Sequence, residues 1–118
     1  MKPFIPSKIA EIVFALVIGV FGANHFMKTD MMAMYVPSAM PSDASIWVYV
    51  TGAALILAAI AIIIDIQKTL ACYLLAAMLI VFVLTLHLKP AMDGNLGNLL
   101  KDTGLAMAAI LIGNRGSK

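Results

Sequence analysis

The chain has 118 residues, enough for one domain at most. It is 63% hydrophobic and only 12% charged, whereas a soluble domain carries about 45–50% apolar and about 25% charged residues. A water-soluble fold this small exposes much of its surface and has nowhere to hide so much apolar area. The net charge of +2 is scattered, with no basic block for nucleic acid, and the lone Cys72 excludes an internal disulfide, a CxxC thiol relay and a cysteine cage for a metal.

A membrane helix needs roughly 20 mostly apolar residues, within about 17–25, and the sequence predicts four. The first span, 9–27, carries only Glu11 as a charge. Lys2 and Lys8 ahead of it imitate the basic start of a signal peptide, but the small residues before Asn24 make a poor cleavage site, so the segment is expected to be retained. The linker from Lys28 to Ser45 contains Met31, Met32, Met34, Tyr35 and Val36, then Pro37 and Pro41. It reads either as a short amphipathic segment at the interface or as an irregular loop. Ser42-Asp43-Ala44-Ser45 supplies cap-type residues for the next helix.

The second span, 46–64, has no charge. Asp65-Ile66-Gln67-Lys68 joins it to the third, 69–88, as a tight antiparallel hairpin. Lys89 to Asn95, with Pro90 and Gly94, reads as a turn. The fourth span, 96–113, carries Lys101 and Asp102 in its first half. Its charge-free remainder is too short to cross alone, so it takes polar groups into the bilayer or starts in a protein-lined pocket. Runs such as Ala58-Ala59-Ile60-Ala61-Ile62-Ile63-Ile64 do not alternate as barrel strands do. The expected fold is therefore all-α, a four-helix transmembrane bundle forming a single domain.

Orientation follows from Lys and Arg near the span ends. Lys2, Lys8, Lys68, Arg115 and Lys118 fall on the side of the termini; Lys28, Lys89 and Lys101 fall on the other. The balance predicts both termini in the cytoplasm. Because lipid tails are as apolar as leucine, helices associate through close backbone approach. Ala15, Gly19 and Ala23 offer a small-residue ridge on the first span, Ala54 and Ala58 on the second, and Gly104, Ala108, Ala109 and Gly113 on the fourth.

With that orientation, Asn24 and His25, Thr85 and His87, Lys101 and Asp102, and Trp47, Tyr49 and Thr51 all fall toward the outer leaflet. Asp102 sits about 16 Å from Gly113 at about 1.5 Å per residue, below the outer surface of a core about 30 Å thick. A charge at such depth costs about 2.5–3.5 kcal/mol on the gentlest scale. Asp102 is thus expected to be buried near His25 or His87. Lys101 and Asp102 point about 100° apart on a helix and are not expected simply to pair with each other. A carboxylate beside an imidazole can hold a proton, orient a tautomer or anchor a headgroup. Two histidines and one cysteine are too few for a closed metal site, so no metal is expected. Trp47 and Tyr49 read as belt anchors. Glu11, at the opposite end, reads as an interfacial acid partnered by Lys8 or Lys68; the sharper alternative is a transport carboxylate.

Asn24-His25-Phe26, the methionine-rich linker with Val36-Pro37, and Ile46-Trp47-Val48-Tyr49-Val50-Thr51-Gly52 together resemble the DoxX-like family of small bacterial membrane proteins. Val83-Leu84-Thr85-Leu86-His87-Leu88 and Asn98-Leu99-Leu100-Lys101-Asp102 extend the resemblance over nearly the whole chain. It implies a four-helix bundle in the bacterial inner membrane and links some members, as membrane subunits, to quinone-dependent sulfur oxidation. His25, Trp47, Tyr49, Thr51, Gly52, His87, Lys101 and Asp102 carry over, without roles. Ala10-Glu11-Ile12-Val13 also resembles the first helix of small multidrug resistance transporters, though the first linker is too long and Glu11 too near the terminus.

The expectation is an accessory or ligand-binding membrane protein with an outer-leaflet polar pocket for a quinone-like or lipid-like amphiphile, not an enzyme on its own. Its partners are the lipid bilayer and, as open alternatives, a membrane or periplasmic oxidoreductase or further copies of itself; nucleic acid is excluded. No resident cofactor is expected, with quinone left open. The alternatives are a membrane subunit of a quinone-linked oxidoreductase and a proton-coupled transporter using Glu11.

Overall fold

A computed structural model describes residues 3–34, 36, 43–87, 92–94 and 96–116, with the backbone alone for Leu86 and His87. Every regular element among them is helical: α1 Ser7–Met27, α2 Thr29–Ala33, α3 Ala44–Ile64, α4 Lys68–Phe82, a π-helical turn Val83–His87, and α5 Gly97–Arg115. Three helices, Ser7–Met27, Ala44–Ile64 and Lys68–Thr85, are long and apolar enough to cross a membrane. α5 falls short of that mark, because Asn98, Lys101, Asp102, Asn114 and Arg115 interrupt its apolar residues. The chain divides into two compact units, Met1–Ile66 and Gln67–Lys118.

In the first unit α1 and α3 run antiparallel. Lys8 Nζ reaches the Ile62 carbonyl at 3.5 Å, Gly19 faces Ala59, and the Phe26 and Tyr49 rings meet at the other end. α1 buries Glu11, Ala15, Ile18 and Gly22; α3 buries Val48, Gly52, Leu55, Ala58, Ala59 and Ile62. Steps of four and three residues keep each set on one face. The contact differs from the expected ridges. Ala23 and Ala54 are exposed, and the closest crossing uses Gly22 and Gly52. A Cβ on Gly22 would stand 2.9 Å from the Gly52 carbonyl oxygen, and one on Gly52 would stand 3.0 Å from that of Gly22. Neither helix can carry a side chain there without moving the other.

α1 stops at Lys28, and the chain turns directly into α2, which packs against α3. The linker thus starts with a short helix, one of its two expected forms. Tyr35 and residues 37–42 lie outside the described residues. Asp43 caps α3 as its position suggests, its Oδ1 accepting the Ser45 N–H at 2.9 Å. Asp43→Ala removes this acceptor and is expected to cost about 1 kcal/mol. Reversible unfolding in mixed micelles measures it, and an Asp43→Asn variant should retain most of the stability.

Asp65 ends α3 in the left-handed region at φ 63°, and Gln67 precedes α4 at φ 51°. Both are unusual for residues with a Cβ. Asp65 Oδ2 lies 3.9 Å from Lys8 Nζ, which ties the α3 terminus to the start of α1.

In the second unit the start of α4 meets the end of α5, so these helices are also antiparallel. The Thr69 hydroxyl donates to the Gly113 carbonyl at 2.7 Å, and the Tyr73 hydroxyl donates to Asn114 Oδ1. α5 buries Asp102, Ala106, Ala109 and Gly113. The expected ridge is again partly displaced: Gly104 is exposed, while a Cβ on Gly113 would sit 3.0 Å from the Cys72 Cβ. Gly94, at φ 101°, supports the turn expected near it; residues 88–91 and 95 lie outside the described residues.

Candidate functional site

The best-defined polar end belongs to α1. His25 is half-buried, and its Nδ1 lies 2.6 Å from the Phe21 carbonyl oxygen one turn back. A carbonyl can only accept, so Nδ1 carries a proton and donates it. The bond aligns the ring along the helix. Just past the helix end, the Thr29 hydroxyl lies 2.7 Å from the His25 carbonyl and 3.0 Å from that of Phe26. Its proton can serve either of these otherwise unfilled C-terminal carbonyls. From α3, Gly52 leaves just enough room: a Cβ there would come within 2.8 Å of the His25 Cβ and 2.9 Å of the Phe26 ring. The absent side chain at Gly52 is therefore what seats His25 and Phe26 against α3.

Phe26 and Tyr49 stack with centroids 5.6 Å apart and planes inclined by 20°. Both rings remain partly exposed. Phe26 is a member that the sequence reading left out; its signal was its place one residue after His25. Thr51 donates to the Trp47 carbonyl at 2.9 Å. Trp47 lies five residues before Gly52, about 140° around the helix from it. The expected outer group on this unit therefore divides: His25, Phe26 and Tyr49 gather at the Gly52 crossing, and Trp47 and Thr51 occupy another strip of α3.

In the second unit Asp102 is buried at 5% exposure, as its cost in lipid implied. Its Oδ1 lies 3.7 Å from Lys101 Nζ, with the lysine side chain 46% exposed. This corrects the expectation that neighbouring residues would not pair. Their Cα–Cβ directions diverge, but the long lysine stem curls back over the carboxylate. The separation is that of an ion pair rather than a hydrogen bond. Thr85 donates to the Val81 carbonyl at 2.7 Å. The His87 side chain lies outside the described residues, and His25 and Asp102 belong to different units.

At the start of α1, Glu11 is buried at 2% exposure. Of its two expected partners, Lys8 turns instead to Asp65 and the Ile62 carbonyl. Lys68, the first residue of α4, is itself buried. Among the described residues no three His, Cys, Asp or Glu side chains come together in a group that could hold a metal ion.

Apolar side chains are exposed along helices of spanning length while carboxylates turn inward. Those are the features of a helical membrane protein. Within that class, the chain belongs to the family described as "Domain of unknown function (DUF8561)", whose model matches residues 14–112. No curated protein and no solved structure matches it.

Proposed function

We propose that this is a DoxX-like, four-helix protein of the bacterial inner membrane with both termini in the cytoplasm, acting as an accessory or ligand-binding subunit. α5 is its fourth span, entering the bilayer with Asp102 turned inward. At the outer leaflet the His25 end of α1 holds the polar head of a quinone-like or lipid-like amphiphile, whose tail runs along the apolar helix surface. The observation that carries this reading is the imidazole fixed between the Phe21 carbonyl and Gly52, beside the part-exposed Phe26–Tyr49 stack. A fixed polar atom next to aromatic faces suits a ligand with a polar head and an apolar body.

Native mass spectrometry of the full chain from nanodiscs tests it. A stoichiometric amphiphile, reduced in His25→Leu and Tyr49→Leu, is expected. Retention of no amphiphile by the wild type overturns it. Topology is tested separately, with Cys72→Ala and single cysteines at Asp43 or Arg115. An impermeant thiol reagent should label position 43 from outside the cell, and position 115 only after permeabilisation. The reverse pattern rejects the orientation.

Glu11, almost wholly buried in a membrane-length helix, favours a second reading as a proton-coupled transporter. Proton-dependent substrate movement abolished by Glu11→Gln would support it over the first.

A further inference from the structure

The bond that fixes His25 also fixes what its far nitrogen can recognise. Nδ1 faces a carbonyl oxygen 2.6 Å away and must carry a proton. In the neutral ring, Nε2 is then an acceptor and has no proton to give. A ligand presenting only a carbonyl or ether oxygen to Nε2 meets lone pair against lone pair. A ligand presenting O–H completes a hydrogen bond. The other tautomer would abandon the Phe21 carbonyl, and a flipped ring would have to move against the α3 backbone, which packs tightly on the His25 Cβ at Gly52.

The second observation is the Phe26–Tyr49 pair. The rings are nearly parallel, inclined by 20°, and both are 44% exposed. Each therefore keeps aromatic surface available beside the imidazole. Such surface favours a planar ring over a glycerol backbone, because offset or edge-on aromatic contacts add to simple area burial.

We infer that the His25 end of α1 selects amphiphiles whose head is an aromatic ring bearing a free hydroxyl, a phenol-type donor, with Nε2 accepting the O–H and the Phe26–Tyr49 pair contacting the ring. This rests on the proposed amphiphile site and adds the polarity of its recognition. Nothing in it requires electron transfer.

The probes are a 4-alkylphenol and the matching 4-alkylphenyl methyl ether, which share ring and tail and differ in the O–H. Binding to the full chain in nanodiscs is followed by tyrosine and tryptophan fluorescence. The phenol is expected to bind at least about fivefold more tightly, the equivalent of one net hydrogen bond. His25→Leu should bring the ratio close to one. Tyr49→Leu should weaken both probes and leave the ratio unchanged. Equal or reversed affinities in the wild type overturn the inference while leaving the amphiphile site intact. Binding of neither probe, by a chain that still retains its own amphiphile, also overturns it; loss of both together removes the site itself. Nitrogen NMR of the His25 ring gives a check that needs no variant to fold. A proton on Nδ1 with bare Nε2 is expected near neutral pH, and a proton on Nε2 alone rejects the inference.

Discussion

Gly52→Ala should destabilise the first unit by about 1–3 kcal/mol, the usual cost of forcing a methyl group into a filled contact. The new Cβ would stand 2.8 Å from the His25 Cβ, 2.9 Å from the Phe26 ring and 3.0 Å from the Gly22 carbonyl oxygen. Two of those three neighbours are a Cβ and a backbone oxygen, and neither can swing aside. The helices must separate, which also pulls His25 from its seat. Gly104→Ala is the matched control, since a Cβ there meets nothing within 4 Å. It should stabilise its helix by roughly 0.5–1 kcal/mol through lower chain entropy in the unfolded state. Unfolding titrations in mixed micelles would show opposite signs for one chemical change. Equal small effects at both positions would show that the α1–α3 crossing is looser than described.

Lys101→Met should cost more than Asp102→Leu. The lysine variant leaves a carboxylate at 5% exposure deprived of a cation 3.7 Å away. The aspartate variant removes the buried charge and leaves a lysine already half in solvent, free to extend. Breaking a fully buried pair costs about 3–5 kcal/mol. The exposure of Lys101 lowers this expectation to about 1–3 kcal/mol. Combining the two substitutions should return stability close to that of Asp102→Leu alone. A Lys101→Met variant within about 0.5 kcal/mol of wild type would mean that Lys101 does not stabilise Asp102.

The element plan was legible because a hydrophobic span and its flanking polar residues mark a membrane helix directly. The expected spans 9–27 and 46–64 sit inside α1 and α3, 69–88 corresponds to α4 and its π-helical turn, and 96–113 overlaps α5. Asp43 as a cap followed from its residue type and position. The packing faces were harder to read. Where one side of a helix is polar, its contrast with the core gives the face away. Here lipid-facing and protein-facing positions are both apolar, so Ala23 and Gly22 look equally suitable, and so do Ala54 and Gly52. Only the geometry of approach separates them. The same lack of contrast hid Phe26. Lys101 with Asp102 failed for another reason: spacing fixes where a side chain starts, and a four-carbon stem decides where its charge ends.

The π-helical turn Val83–His87 bears on how this protein can change in length. Such a turn behaves as an α-helix that has taken in one extra residue. A helix that has absorbed a residue can also release it, relaxing to ordinary α geometry. Removing one residue between Val83 and His87 should therefore keep the helix continuous and leave Lys68–Phe82 in place. It would rotate whatever follows by about 100°, one α-helical residue step. Length variation among members of this family has a natural home at that turn, where a deletion re-aims the chain instead of breaking it.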